Sequence, residues 1–398
     1  MEDVVILSAA RTPIGSFLGE LAPLSTPQLG SQAIAAALER AGVEPASVDQ
    51  VLMGCVLQAG LGQAPARQAS IGAGLPHTTG AITVNKVCGS GMRALMDGAN
   101  GLRLGEWDIV VSGGMESMSN APHLLAGARR GYRMGGFEGT DAMIKDGLWD
   151  PYNDQHMGNC AELCAREYSF TRAAQDDFAR QSYERARAAS ENGQLERELL
   201  TVSVPQRKGE PVTVARDEEP FAAPLEKMGT LRPAFQRDGT VTAANASKIN
   251  DGAAALVVTT AKRAATLGCQ PLVRVVAQGA FAQAPEWFTT APAGAARQAL
   301  KRAGLSVADV GLWEINEAFA TVALAAIHDL DLDPTTVNVR GGAVALGHPI
   351  GASGARIVTT LVHAMLSEKV RYGCASICLG GGEATAVVLE NLQDDARG

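Results

Sequence analysis

Leu38-Glu39-Arg40-Ala41-Gly42-Val43, which continues to Val48-Asp49, is written a second time as Leu300-Lys301-Arg302-Ala303-Gly304-Leu305, which continues to Asp309-Val310. Each copy reads as the end of a helix, a glycine cap and a turn into a strand. Working outward, the strand Ile109-Val110-Val111 runs into Ser112-Gly113-Gly114-Met115-Glu116, and Ser376-Ile377-Cys378 runs into Leu379-Gly380-Gly381-Gly382-Glu383. Between these landmarks each copy sets an extended run before a glycine-rich turn and an amphipathic helix. The pairs are Thr83-Val84-Asn85 before Gly89-Ser90-Gly91, and Val337-Asn338-Val339 before Gly341-Gly342. An internal repeat built from alternating strands and helices predicts an α/β fold of two similar halves, with helices covering a mostly parallel sheet.

The segment between the copies differs in composition. Residues 121–250 carry 17 basic and 19 acidic side chains, close to twice the charge density of the remainder. A helical pattern over Ala173–Ala188 sets Phe178, Ala179, Tyr183 and Ala186 among Arg and Asp, and Pro-punctuated extended pieces follow from Val202 to Pro224. We therefore divide the 398 residues into an N-terminal half over 1–120, an exposed insertion over 121–250 and a C-terminal half over 251–398. Insertions at the ends of sheets often carry substrate contacts.

Composition narrows the function classes. A formal charge of −8 disfavours nucleic acid as a partner, because the phosphate backbone rewards basic surfaces. No apolar run approaches the roughly 20 residues that span a bilayer. The start Met1-Glu2-Asp3 leads directly into Val4-Val5-Ile6-Leu7, which reads as a first strand and not as a signal peptide. Seven cysteines, an odd number on a long chain, argue for free thiols in a reducing compartment, so a cytoplasmic location is expected. The 44 glycines exceed ordinary usage without a collagen-like period, which predicts many tight turns between strands and helices.

Four stretches carry candidate chemistry. Asn85-Lys86-Val87-Cys88-Gly89-Ser90-Gly91-Met92 puts Cys88 at a strand-to-helix junction, where the positive end of a helix dipole is expected to favour thiolate. A buried structural cysteine at a tight turn is the alternative. In Gly341-Gly342-Ala343-Val344-Ala345-Leu346-Gly347-His348-Pro349-Ile350-Gly351, the glycines and the proline place His348 on a shaped loop, as a candidate base for a thiol. These glycines do not match G-x-G-x-x-G, and no acidic residue stands about 20 positions on for a ribose. Cys378 ends a strand before Leu379-Gly380-Gly381-Gly382, a turn whose bare backbone N–H groups suit an oxyanion hole. Asn316-Glu317-Ala318-Phe319-Ala320 follows the strand Leu312-Trp313-Glu314-Ile315, and Asn316 is either a helix cap or a polar group with a partner to bind. Metal binding by Cys374 with Cys378, or by Cys160 with Cys164, needs more ligands than the spacing supplies, so no metal site is expected. Cys160 and Cys164 are expected to pack on one helix face.

In this order and spacing the four motifs resemble the thiolase family. The likeness covers essentially the whole chain, including Arg11-Thr12-Pro13-Ile14-Gly15, Asn245-Ala246-Ser247 and Asn250-Asp251-Gly252. It implies a thiolase-like fold, two similar α/β halves with mixed sheets covered by helices plus an inserted loop domain. It further implies acyl transfer between CoA thioesters. Cys88 would be the nucleophile, His348 its base and part of an oxyanion hole, and Cys378 an acid and base. Asn316 would hold a water in one oxyanion hole, and the backbone N–H groups of Cys88 and Gly380 would form the other. The second cysteine separates this pattern from the related ketoacyl synthases. Gln155-His156-Met157-Gly158 resembles the short-chain, acetoacetyl-CoA-specific branch, in which His156 and Met157 crowd the acyl pocket. Phe235, Ala243, Ser247, Ala318 and Phe319 would line the pantetheine channel, with Leu148 beside them. Phe288 departs from the smaller residues many such enzymes carry there, and is expected to reshape the acyl end. The run Ala121–Leu148 resembles the loop that pairs dimers into a homotetramer.

The resemblance thus implies an acetyl-CoA C-acetyltransferase that condenses two acetyl-CoA to acetoacetyl-CoA and coenzyme A, with no tightly bound cofactor, no nucleic acid and no membrane. The alternatives are a degradative 3-oxoacyl-CoA thiolase of broader chain length and a non-catalytic acyl-CoA carrier with the same fold.

Overall fold

The computed structural model describes residues 2–393; Met1 and residues 394–398, the outer ends of the first and last divisions, lie outside the described residues. The opening apolar run belongs to β1 (Val4–Arg11), buried along its whole length, as a strand covered on both faces must be. α1 (Thr26–Ala41) ends where the first copy of the repeat predicts: Gly42 sits at φ 62, a left-handed cap that glycine adopts without a Cβ penalty. β2 (Gln50–Gly54), β3 (Gly80–Val84), α2 (Ser90–Leu104) and β4 (Ile109–Ser117) complete the first run.

The middle segment contributes two short hairpins, then α3 (Met157–Glu167) and α4 (Arg172–Glu191). α4 starts on a Thr171 side-chain cap and buries Ala179, Tyr183 and Ala186, the face expected from the pattern. Val202–Val204 pairs with Val212–Val214. After β5 (Asn250–Thr260) and β6 (Val273–Ala282) comes α5 (Ala291–Ala303), closed by Gly304 at φ 70 as the second copy predicts. β7 (Leu312–Ile315), α6 (Ala320–Leu330), α7 (Ile350–Ser367), β8 (Tyr372–Leu379) and β9 (Glu383–Asn391) follow.

The strands form one ten-stranded sheet in the order β7-β8-β9-β6-β1-β5-β4-β2-β3, with the short Gly15–Ser16 strand beside β5. This order contains the repeat. β1, β5 and β4 pair antiparallel and β2 joins parallel; β6, β9 and β8 pair antiparallel and β7 joins parallel. The two runs meet through two residue pairs, Val5 with Arg274 and Ile6 with Val273.

Three expectations are corrected here. The sheet is mixed and mostly antiparallel, not mostly parallel, because β1, β5, β4, β6, β9 and β8 pair antiparallel and only β7, β2 and β3 join parallel. A boundary after residue 250 is wrong for the sheet, because β5 pairs with β1 on one side and β4 on the other, both in the first half. The central strand of that half is delivered from beyond the insertion, and the change of half falls in the connection from β5 to β6. The run Val337–Val339 is also not a second copy of β3. Val337 makes a single bridge to Trp313, and Asn338 takes a left-handed φ of 49. The Asn338 side chain then does the work of strand backbone: Oδ1 accepts the Ile315 N–H and Nδ2 donates to the Ile315 carbonyl, both at 2.8 Å.

Helices α2 and α7 lie between the two halves of the sheet. Met92, Leu95 and Met96 of α2 join Ile357, Val358 and Leu361 of α7 in one core with Ile6 and Leu256 from the first half and Ile377 and Val387 from the second. α1 covers the outer face of the first half through Leu29, Ile34 and Leu38, and α5 and α6 cover the outer face of the second. The result is five layers, helix, sheet, helix, sheet, helix. α7 is buried on every side from Ile350 to Met365, so its apolar run is that of a central helix and not of an amphipathic surface one.

Candidate active site

Cys88 and His348 are brought together by the contact between α2 and α7. A Cβ built on Gly354 would lie 2.4 Å from Met92 N, and one on Gly91 would lie 2.7 Å from Ala355 N. The first turns of the two helices therefore touch backbone to backbone, and the residues just before them share one place. Cys88 precedes α2, and His348 precedes α7.

The turn that carries Cys88 is strained. Val87, a β-branched residue, sits at φ 47, in a region such side chains rarely enter. Ser90 holds it there: Oγ accepts the Lys86 N–H at 2.8 Å and donates to the Val87 carbonyl at 2.6 Å. Lys86 is tied across to Glu383 at the start of β9, Nζ to carboxylate 2.5 Å. The backbone N–H groups of Cys88 and Gly380 both reach the Cys88 sulfur, the pair expected to form an oxyanion hole. The thiol is nevertheless not acidic. Burial pushes its pKa up to about 12, against those two N–H groups, and the carboxylate of Glu116 adds to the rise. The expected lowering by the helix dipole is thus outweighed by desolvation.

His348 is fixed at several points. Gly347 at φ 109 packs on the Asn250 side chain, whose Oδ1 accepts the His348 backbone N–H at 2.9 Å. Nδ1 lies 2.5 Å from Ser353 Oγ, while Nε2 has no hydrogen-bond partner among the described residues. Burial, and after it the nearby Arg356 guanidinium, pull the pKa down to about 3, so the ring is neutral at physiological pH and able to accept a proton. Cys378 is fully buried at the end of β8 in a cluster with Met157, Phe288, Ala318 and Phe319. Burial first, and then the Cys88 thiol, push its pKa well above the ordinary value.

Asn316 does not cap a helix. α6 begins later, with Phe319 at its N-cap. The Asn316 side chain is fully buried, yet neither its oxygen nor its nitrogen has a partner among the described residues. Unpaired polar atoms of that kind cost about 1–3 kcal/mol and suit a water or a ligand oxygen. Glu317 has a structural task, accepting from Ser182 Oγ, Asn338 Nδ2 and the Val344 N–H, which ties α4 to the loop leading to His348.

A cavity of about 180 Å³ opens beside these groups, lined by Leu148, His156, Phe235, Ser247, Phe319 and His348 among others. His156 Nδ1 accepts the Gly158 N–H and so caps α3, and its ring stacks on Phe235 at 4.7 Å. Phe319 meets both Phe235 and Phe288 edge to face. Met157, Ala318 and Phe288 stand behind the lining, with Cys378. Ala243 is exposed and does not line the cavity, because its segment turns outward; its carbonyl accepts from Lys248 Nζ. Met118, Lys248, Ile249 and Ile350 line the cavity without having been singled out. Ile350 had a signal, its place directly after His348-Pro349, and Met118 had none. A larger groove, about 520 Å³ and lined by Arg103, Arg274 and Arg302, lies at the far end of α2 from Cys88 and holds no candidate residue. Cys160 and Cys164 pack buried on α3 as expected.

Comparison with known proteins agrees with this fold. Residues 4–262 match the thiolase N-terminal domain, and residues 269–391 match the thiolase C-terminal domain. The chain is 51% identical to an acetyl-CoA acetyltransferase of Cupriavidus necator, over 98% of this chain and all of that one. It is 53% identical to acetyl-CoA acetyltransferase 2 of Arabidopsis thaliana, over 98% of this chain and 97% of that one. The crystal structure of the thiolase Acat5 from Ascaris suum in complex with coenzyme A superposes with a TM-score of 0.94 at 45% identity, over 98% of this chain and all of that one. Two domain matches that meet in the connection between β5 and β6, and relatives alike from end to end, make this chain a member of the thiolase family.

Proposed function

We propose that this thiolase is an acetyl-CoA C-acetyltransferase, which reversibly condenses two acetyl-CoA to acetoacetyl-CoA and coenzyme A. The observation that supports the reading is a half-buried, desolvated thiol, Cys88, and a neutral imidazole, His348, at the touching starts of α2 and α7, with a second thiol, Cys378, buried at the end of β8. In the first step His348 takes the Cys88 proton as the sulfur bonds to the thioester carbonyl carbon, and the Cys378 thiol gives its own proton to the departing CoA sulfur, which leaves Cys378 as a thiolate and His348 protonated. Both partners rest neutral, so proton transfer accompanies attack and does not precede it. The carbonyl oxygen gains negative charge opposite the N–H groups of Cys88 and Gly380. In the second step the Cys378 thiolate takes a proton from the methyl carbon of another acetyl-CoA. The carbanion attacks the acyl-Cys88 carbonyl, a carbon–carbon bond forms, and the Cys88 sulfur leaves and takes its proton back from His348. The enolate oxygen of that step would be met by His348 and a water on Asn316. No resident cofactor enters either step.

The short acyl preference is supported by the small cavity and by the rings of His156, Phe235, Phe319 and Phe288 around its end. The leucine- and aromatic-bearing surface of the insertion, with Leu125, Met134 and Phe137 exposed, supports tetramer formation through the 121–148 loop. A cytoplasmic location is supported by the seven free thiols, which suit a reducing compartment.

The deciding measurement compares kcat/KM for acetoacetyl-CoA and 3-oxooctanoyl-CoA in the thiolytic direction. At least about a tenfold preference for acetoacetyl-CoA is expected, and a preference for the longer chain would overturn the assignment. Mass spectrometry after exposure to acetyl-CoA should find an acetyl group on Cys88; its absence would favour a carrier that binds without chemistry.

A further inference from the structure

A neutral imidazole has one N–H, and only the nitrogen without it can take a proton from a thiol. Which nitrogen of His348 that is can be read from Ser353, a residue without a role so far. Ser353 stands in the first turn of α7, where its hydroxyl reaches back to the Pro349 carbonyl four residues earlier, at 2.9 Å. A carbonyl only accepts, so that contact commits the single hydroxyl proton. With that proton on the carbonyl side, the serine oxygen faces His348 Nδ1, 2.5 Å away, as an acceptor, which makes Nδ1 the donor in this arrangement.

We propose that Ser353 is a positioning residue that holds the His348 proton on Nδ1 and leaves the Nε2 lone pair as the acceptor for the Cys88 proton. Nε2 is the ring nitrogen with no partner among the described residues, which agrees with this arrangement. The residue is held at two points, its ring by Ser353 at Nδ1 and its backbone N–H by Asn250. Ser353 is 1% exposed and His348 6%, so bulk water cannot replace the contact. Without the serine oxygen the Nδ1–H would be a buried donor with nothing to bond, and the tautomer protonated on Nε2 would compete. That tautomer cannot receive the thiol proton.

The inference rests on His348 being the base for Cys88, and the test separates the two. The full chain is labelled with 15N at its six histidines, and the His348 resonances are assigned by their loss in His348→Asn. At pH 7.5 the wild type should show a protonated Nδ1 and an unprotonated Nε2. Ser353→Ala should move the pattern toward protonated Nε2 and slow acylation of Cys88 by acetyl-CoA at least about tenfold, with half-saturation changed less than about twofold. Ser353→Thr keeps the hydroxyl and should retain the wild-type pattern and rate. A wild type protonated on Nε2, or a tautomer unmoved in Ser353→Ala, overturns the proposal, and the wild-type spectrum alone suffices if Ser353→Thr does not fold. The Nδ1–H pattern in a protein that never acylates Cys88 would support the tautomer and overturn the acyl-transfer reading.

Discussion

Burial, more than the helix dipole, sets the resting charge of Cys88 and His348. A thiol held at about 12 and an imidazole held at about 3 are both neutral between about pH 5 and pH 9. The sign for Cys88 is that of an acid whose pKa is raised: the proton stays on at neutral pH, and each unit of added pH exposes about ten times more thiolate. Alkylation of Cys88 by iodoacetamide should therefore climb steadily from pH 6 to pH 9. A plateau reached by pH 7 would mean a preformed thiolate–imidazolium pair and would contradict the buried neutral site. The position of Cys88 before a helix was legible in Val87-Cys88-Gly89-Ser90. Its desolvation was not, because the groups that exclude water, among them Leu148 and Ile350, are distant in the chain.

At the scale of elements, the glycines of the two central helices decide whether Cys88 and His348 meet. An alanine at Gly354 would put a methyl group 2.4 Å from the Met92 backbone nitrogen, an atom that cannot swing aside. Gly354→Ala should lower stability by about 1–3 kcal/mol, read as a shift in the urea midpoint, and should cut activity further than stability by parting the two helix starts. Gly229→Ala, whose Cβ meets nothing within 4 Å, should leave both unchanged. Equal losses in the two variants would refute the close contact. The repeat announced both helix caps, Gly42 and Gly304, since a left-handed cap needs only local sequence. It misreported Val337–Val339, because there an asparagine side chain replaces a strand, and side-chain mimicry of backbone leaves no periodic trace.

For the whole molecule, a buried ion cluster fastens the insertion to the sheet. Arg11, at the end of β1, bonds Glu198 at 2.6 Å and Asp217 at 2.7 and 3.0 Å, with all three side chains buried. Arg11→Met should destabilise by about 3–5 kcal/mol, because Asp217 would remain buried without its cation and Glu198 would be left with Arg340 at 3.8 Å, and the urea midpoint should fall accordingly. A loss below about 1 kcal/mol would show that the cluster is solvated and unimportant. By itself the sequence determined the α/β class, the doubled design, the helix caps and the four motifs proposed to carry the chemistry, since each depends on residues within a dozen positions of one another. Tertiary structure alone decided that β5 crosses the insertion to complete the first half, that Ala243 faces outward while Met118 lines the cavity, and that Ser353 meets His348 Nδ1. It also decided the protonation of the site, because desolvation is a property of everything packed around a group, and packing joins residues hundreds of positions apart.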